Sequence, residues 1–157
     1  MAAGGTLMTI KHSRATAASA TFVNLPVHDL RKSIDFFEAL GFACDPQFTD
    51  DSAACLILGP GHYAMLLTHV RFKDFTPHAI VDAHRSTEVL VALQFDSHEL
   101  VDQIAELAVV AGGRHFRPPE DHGWMYGRAF QDLDGHIWEP FFMDRAAMRA
   151  SGPEATR

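Results

Sequence analysis

Cysteine is scarce in this sequence, basic runs are missing and no apolar stretch is long. Only Cys44 and Cys55 are present. Nothing in their spacing dictates a disulfide, and too few ligand-type residues lie near them for a thiolate metal site. They read as buried or half-buried thiols in a reducing cytoplasm. Thirteen Lys and Arg face twenty Asp and Glu, a formal net charge of −7, and the basic residues never cluster. A phosphate-tracking surface and attraction to anionic membranes are both excluded, so neither nucleic acid nor membrane is an expected partner. No apolar run approaches the roughly 18 residues of a membrane span. The first twenty residues lack the continuous apolar segment of a secretory signal, and the expected localisation is cytoplasmic. Residues 1–20 read as a flexible leader and 145–157 as a loose tail, with at most one helical turn before Gly152-Pro153.

What the chain does have is a repeat. In "FVNLPVH" (22–28), Val23, Leu25 and Val27 share one side and Phe22, Asn24 and Pro26 the other, as in a strand. A helix follows: Asp29 suits the N-cap, Leu30, Ile34, Phe37 and Leu40 keep helical spacing, and Gly41 suits a left-handed C-cap. Two apolar runs around Gly59-Pro60-Gly61 then read as a hairpin. The pattern recurs. "LVALQF" (90–95) alternates, Asp96 or Ser97 is placed to cap a helix carrying Leu100, Ile104, Leu107 and Ala111, and Gly112-Gly113 ends it. "YGRAFQDLDGHIWEPFF" closes the repeat as strand, turn, strand. Two copies of one supersecondary unit are implied, each a sheet with one helix on one face. A connector over 68–88, with one short helical piece, separates module one (21–67) from module two (89–144) within a single domain, 21–144.

At this point the chain resembles the vicinal oxygen chelate superfamily, the fold of glyoxalases, bleomycin-resistance proteins and extradiol dioxygenases. "NLPVHDLRKSIDFFEALGF" and "FQDLDGHIWEPF" carry the resemblance, and "DHGWMYGRAFQDLDGHIWE" is similar to a bacterial subgroup of predicted lactoylglutathione lyases. The resemblance implies an α+β fold: two tandem βαβββ modules forming a cupped eight-stranded mixed sheet with helices outside. It also implies a divalent metal held in the cup by residues from four strands, where the ion polarises substrate oxygens. Carried over residue by residue, those positions fall on Phe22, Met65, Leu90 and Glu139. Only Glu139 is a ligand for a hard cation, since phenyl and alkyl groups donate nothing and a thioether is a poor donor to hard ions. A stable zinc site needs three or four donors. No metal or other cofactor is therefore expected, with Glu139 the only retained candidate ligand.

Glu139 is the one charge in an apolar strand, facing the cup beside Ile137 and Phe141 while Trp138 and Phe142 face the helices. A carboxylate in such company calls for a partner. Tyr126 and Arg128 share a strand face, and with that face in the cup either would reach Glu139, as stabiliser to a general base or acid. Asn24 and Gln94 project inward as polar fixing points among Phe22, Met65, Leu90, Trp124 and Phe141, sketching a mostly apolar small-molecule site. Pro140 lacks an N–H, which places its strand at a sheet edge or bulge. None of the ten histidines pairs at zinc-motif spacing on a helix. Most belong to turns and surfaces, but His122, before Gly123, lies in a loop expected to close over the cup.

Two functions follow. One is a protein with a degenerate metal site that binds a small hydrophobic or aromatic molecule in the cup. The alternative is a lyase- or isomerase-type enzyme using Glu139, with or without a divalent metal. A homodimer suits either.

Overall fold

The structure, a computed structural model, describes residues 16–151. The expected leader lies largely outside that range. Module one comprises β1 (Thr21–Val27), α1 (Leu30–Ala39), β2 (Ala43–Asp45), a 3-10 turn (Pro46–Phe48), β3 (Ala53–Gly59) and β4 (His62–Thr68). A short helix, α2 (His69–Lys73), opens the connector. Module two comprises β5 (Leu90–Gln94), α3 (His98–Val110), β6 (Arg114–Asp121), β7 (Met125–Gln131) and β8 (Ile137–Met143), and α4 (Arg145–Ala150) follows. The eight strands make two four-stranded mixed sheets, ordered β1-β4-β3-β2 and β5-β8-β7-β6. Each has one parallel pair, β1 with β4 and β5 with β8, and the other pairs are antiparallel. The two sheets repeat one topology, as the sequence repeat predicts.

The helices start where short polar side chains satisfy free amides. The Asp29 carboxylate accepts from the Lys32 N–H at 3.1 Å. In module two the cap is Ser97 rather than Asp96: its hydroxyl accepts from the Leu100 N–H at 3.2 Å, and Glu99 lies in the first turn. Leu25, Val27 and Val91 are buried beneath these helices, with Val23, Leu93 and Phe95 against them.

The two modules share a single core. Phe37 of α1 packs on Trp138 of β8 with ring centroids 4.9 Å apart, and Phe36 lies 6.3 Å from Phe130 of β7. Trp138 and Phe37 are each 1% exposed. Fully burying a side chain of this size contributes about 1.5–3 kcal/mol. Because the helix-side faces of both sheets enclose this core, the opposite, open faces look outward.

A polar seam also joins the modules, at the β7–β8 turn. Buried Asp132 accepts from the Asp134 and His136 amides, both at 3.0 Å, and from the Trp138 indole at 2.9 Å. Asp134 then reaches module one, accepting from the His28 N–H at 2.7 Å and the Ser33 hydroxyl at 3.2 Å. His136 Nε2 lies 2.7 Å from the Pro26 carbonyl, so that nitrogen carries the proton and donates.

The strand holding Pro140 is not at an edge: β8 lies between β5 and β7. The β7–β8 ladder has paired residues at Gly127–Phe141 and Phe130–Trp138, with a break between them. Pro140 sits at that break, where no N–H is required. It is Pro26, in β1, that occupies a true edge strand.

Candidate functional site

The open face of module two is built in rows set by the strand register. One row carries Leu90 and Ile137, the next Ala92 and Glu139, the third Gln94, Phe141 and Gly127. The middle row continues through Ala129 to Arg117 of β6. Ala129 and Ala92 bear only methyl groups: Ala92 is exposed, and the small Ala129 leaves room for a side chain from β6 to cross it. The Arg117 guanidinium extends across Ala129, and its Nη1 donates to Glu139 Oε1 at 2.5 Å. Its Nε donates to Glu120 at 2.8 Å. The Glu139 side chain is 18% exposed. The hydrogen bond to Glu139, working against burial, holds the Arg117 guanidinium above its ordinary value.

Glu139 therefore has a cationic partner, but not either of the two expected. Tyr126 and Arg128 lie on the helix side of β7. The Tyr126 hydroxyl donates to Asp102 of α3 at 2.7 Å, and Arg128 donates to Asp102 and to Glu106, both at 2.7 Å. Burial works against the Arg128 charge, yet the bonds to Glu106 and Asp102 outweigh it and raise its pKa. The reason for the reversal is parity. Glu139 shares its face with Gly127, Ala129 and Gln131, the smaller side chains, while the larger set clamps α3 to the sheet.

Arg117 escaped the sequence reading because "RHFRPPED" does not look like a strand. Pro118 and Pro119 interrupt it, and register shifts on both sides of Arg117 break its alternation. β6 tolerates two prolines because it is an edge strand.

The other predicted residues divide between two faces. Phe22, 54% exposed, stacks on Tyr63 at 4.7 Å with ring planes 15° apart. Asn24 pairs in register with Met65, so these three lie on the open face of module one. Leu90, 50% exposed, and Gln94 lie with Glu139 on the open face of module two. Trp124 is half-buried just before β7, with its ring 6.4 Å from that of His122. His122 occupies a tight β6–β7 hairpin turn, its amide bonded to the Met125 carbonyl at 2.8 Å.

A family model, Glyoxalase/Bleomycin resistance protein/Dioxygenase superfamily, matches residues 19–139. The chain belongs to this superfamily. Solved superfamily-like structures agree with its fold. A hypothetical protein from S. aureus is 29% identical, with a TM-score of 0.68 over 81% of this chain and 95% of that one. A glyoxalase-related enzyme from Fulvimarina pelagi is 24% identical, with a TM-score of 0.66 over 78% and 86%. TioX from Micromonospora sp. ML1 is 23% identical, with a TM-score of 0.56 over 80% and 99%. No curated protein matches the chain.

The four positions that the superfamily resemblance assigns to a metal do not fit one here. Phe22 and Leu90 bring hydrocarbon, Met65 a thioether, and the Glu139 carboxylate is engaged by Arg117. Among the described residues no three His, Cys, Asp or Glu side chains are grouped so as to hold an ion.

Proposed function

We propose that this protein is a binding member of the superfamily, one that holds a small hydrophobic or aromatic molecule against its open sheet faces. One observation carries the reading: the positions that serve as metal ligands elsewhere in the superfamily are aromatic, aliphatic or ion-paired in this chain. The same positions offer a planar surface for stacking, Phe22 on Tyr63. Asn24 is exposed beside it and Gln94 is exposed on the open face of module two, and both supply polar contacts that orient a ligand.

The site is completed by a homodimer. Within one chain the two open faces point away from the common core, and each leaves a large apolar side chain half in water, Phe22 on one and Leu90 on the other. Setting module one of one protomer against module two of its partner buries both and brings the two half-sites together. For the enzymatic alternative, Tyr126 and Arg128 turn away from Glu139 to Asp102, and the cation beside that carboxylate is Arg117.

Trp138 is buried and Trp124 only partly so, which makes Trp124 the responsive fluorophore. Titrating the protein with a panel of neutral and charged aromatic compounds is expected to quench emission saturably for a subset, with no turnover. Phe22→Ala should weaken that binding about tenfold, roughly the loss of one stacked aromatic contact, and leave the fold intact because the side chain is half exposed. Sedimentation velocity should show a dimer. A monomer with no response across the panel overturns the reading.

A further inference from the structure

The connector builds a second chamber apart from the predicted ligand residues. Residues 74–89 form no helix or strand; they run over the β7–β8 turn and pass so close that a Cβ on Gly135 would sit 2.6 Å from the His84 nitrogen. Between this strap, the edge of β1 and the start of β8 lies a cavity of about 550 Å³. That lies within the roughly 300–1,000 Å³ typical of small-molecule sites. Phe22, Met65, Leu90, Glu139 and Trp124 do not line it; of the predicted ligand residues only Asn24 touches both regions.

Its chemistry is lopsided. The floor is apolar, formed by Val23, Leu25 and Ile137, and the strap adds Ile80 and Val81. Most of the polar residues are on the strap, namely Thr76, His78, Ser86, Thr87 and Glu88, while Asn24 of β1 and His136 before β8 add two more from the sheet side. No Lys or Arg contributes to the lining, and Glu88 is its only charged side chain apart from histidine. An anionic ligand would find no counter-charge there and would be repelled by Glu88. A cation would find one carboxylate and several hydroxyl acceptors at the rim, with hydrocarbon below.

We propose that this chamber binds a small amphipathic amine, its apolar body against Val23, Leu25 and Ile137 and its ammonium group at Glu88. The site goes beyond the open-face reading and uses different residues. The strap is the part that discriminates by charge, because it supplies the one carboxylate, Glu88.

The test uses phenethylamine, with phenylacetate and propylbenzene as probes of the same body bearing opposite or no charge. Binding to the full-length protein is followed by chemical-shift mapping and by titration calorimetry. Phenethylamine is expected to perturb resonances of residues 76–89 and to bind more tightly than either comparator. Glu88→Gln should weaken it about two- to fivefold, as for a partly exposed charge pair, and added salt should weaken it similarly. Ala79→Trp, at an exposed strap position, should fill the chamber and abolish binding without altering the melting temperature. Three outcomes overturn the proposal: no shift in the strap, phenylacetate binding as well as the amine, or binding untouched by Ala79→Trp. None of these bears on open-face binding, which Phe22→Ala tests separately.

Discussion

Arg117 and Glu139 join across the buried methyl group of Ala129, tying an edge strand to the third strand of its sheet through side chains alone. The pair commits the one carboxylate at the superfamily's metal positions. Protein purified from minimal medium is expected to contain well under one equivalent of any divalent ion per chain by elemental analysis. Added Zn²⁺ should leave its melting temperature unchanged. Stoichiometric metal that disappears in Glu139→Ala would overturn the donor argument.

Breaking the pair should cost stability even without a ligand. Arg117→Ala leaves Glu139 mostly buried and without its cation. The expected loss is about 1–3 kcal/mol, at the low end because Arg117 is one-third exposed. Urea denaturation measures it. Arg117→Lys should recover only part, since one ammonium cannot reproduce the two-pronged contact with Glu139 and Glu120. An unchanged midpoint in Arg117→Ala would show the bond to be energetically empty.

Asp132 is a more severe case. It is 4% exposed, and its carboxylate serves two backbone amides and the Trp138 indole. Burial pushes its pKa up, and the hydrogen bonds from Trp138 and the Asp134 amide act against that rise. Asp132→Ala orphans all three at once and should cost roughly 2–4 kcal/mol, with a red shift of Trp138 emission as water enters. Asp132→Asn retains an acceptor and should cost less. Equal costs would place the role of Asp132 in packing rather than hydrogen bonding.

Asp102 gives a pH signature. Its bond from Tyr126, and the weaker help of Arg128, hold its carboxyl below the ordinary value of 3.8 despite partial burial. The unfolded chain then takes up this proton before the folded one does. The stabilisation is complete above about pH 4 and is lost as pH falls through the folded value. A carboxyl NMR titration should find the Asp102 midpoint below 3.8, and Tyr126→Phe should move it upward. A midpoint indifferent to Tyr126→Phe would remove the phenol from the cause.

Two glycines separate backbone strain from steric conflict. Gly41 and Gly135 both hold positive φ, +95° and +90°. At Gly41 a Cβ meets nothing within 4 Å, whereas at Gly135 it strikes the connector backbone, 2.7 Å from the Ala83 carbonyl carbon. Gly41→Ala should cost about 1–2 kcal/mol from conformation alone. Gly135→Ala should cost distinctly more, and the excess should show as increased amide exchange in residues 79–86. Equal costs would mean that the strap yields freely.

The repeat, the capped helices and the helix-side core were legible in the sequence because periodicity writes them directly: Leu25 and Val27, Ile34 and Phe37, Val91 and Ile104 fall where burial requires. β2 and β6 were not legible as strands from their residues. β2 has three residues, too few to show alternation, and β6 carries two prolines and two register breaks. The same blindness hid Arg117. Placing Arg128 beside Glu139 failed for a different reason. A strand's period reveals two faces but not which is which, and a large polar set bonds a helix as readily as it lines a site. Pro140 misled by suggesting an edge, when a local gap in one ladder was enough.

The shared core has a consequence for how this chain can change. The modules are tied together by Phe37, Trp138 and the seam from Asp132 to Pro26, so that each half buries its apolar face against the other. The outward faces carry little of that burden: Phe22 and Leu90 can be exchanged for side chains of other chemistry with small loss of stability. Recognition and architecture thus occupy opposite surfaces of the same strands, and new specificities can be introduced at the first without renegotiating the second.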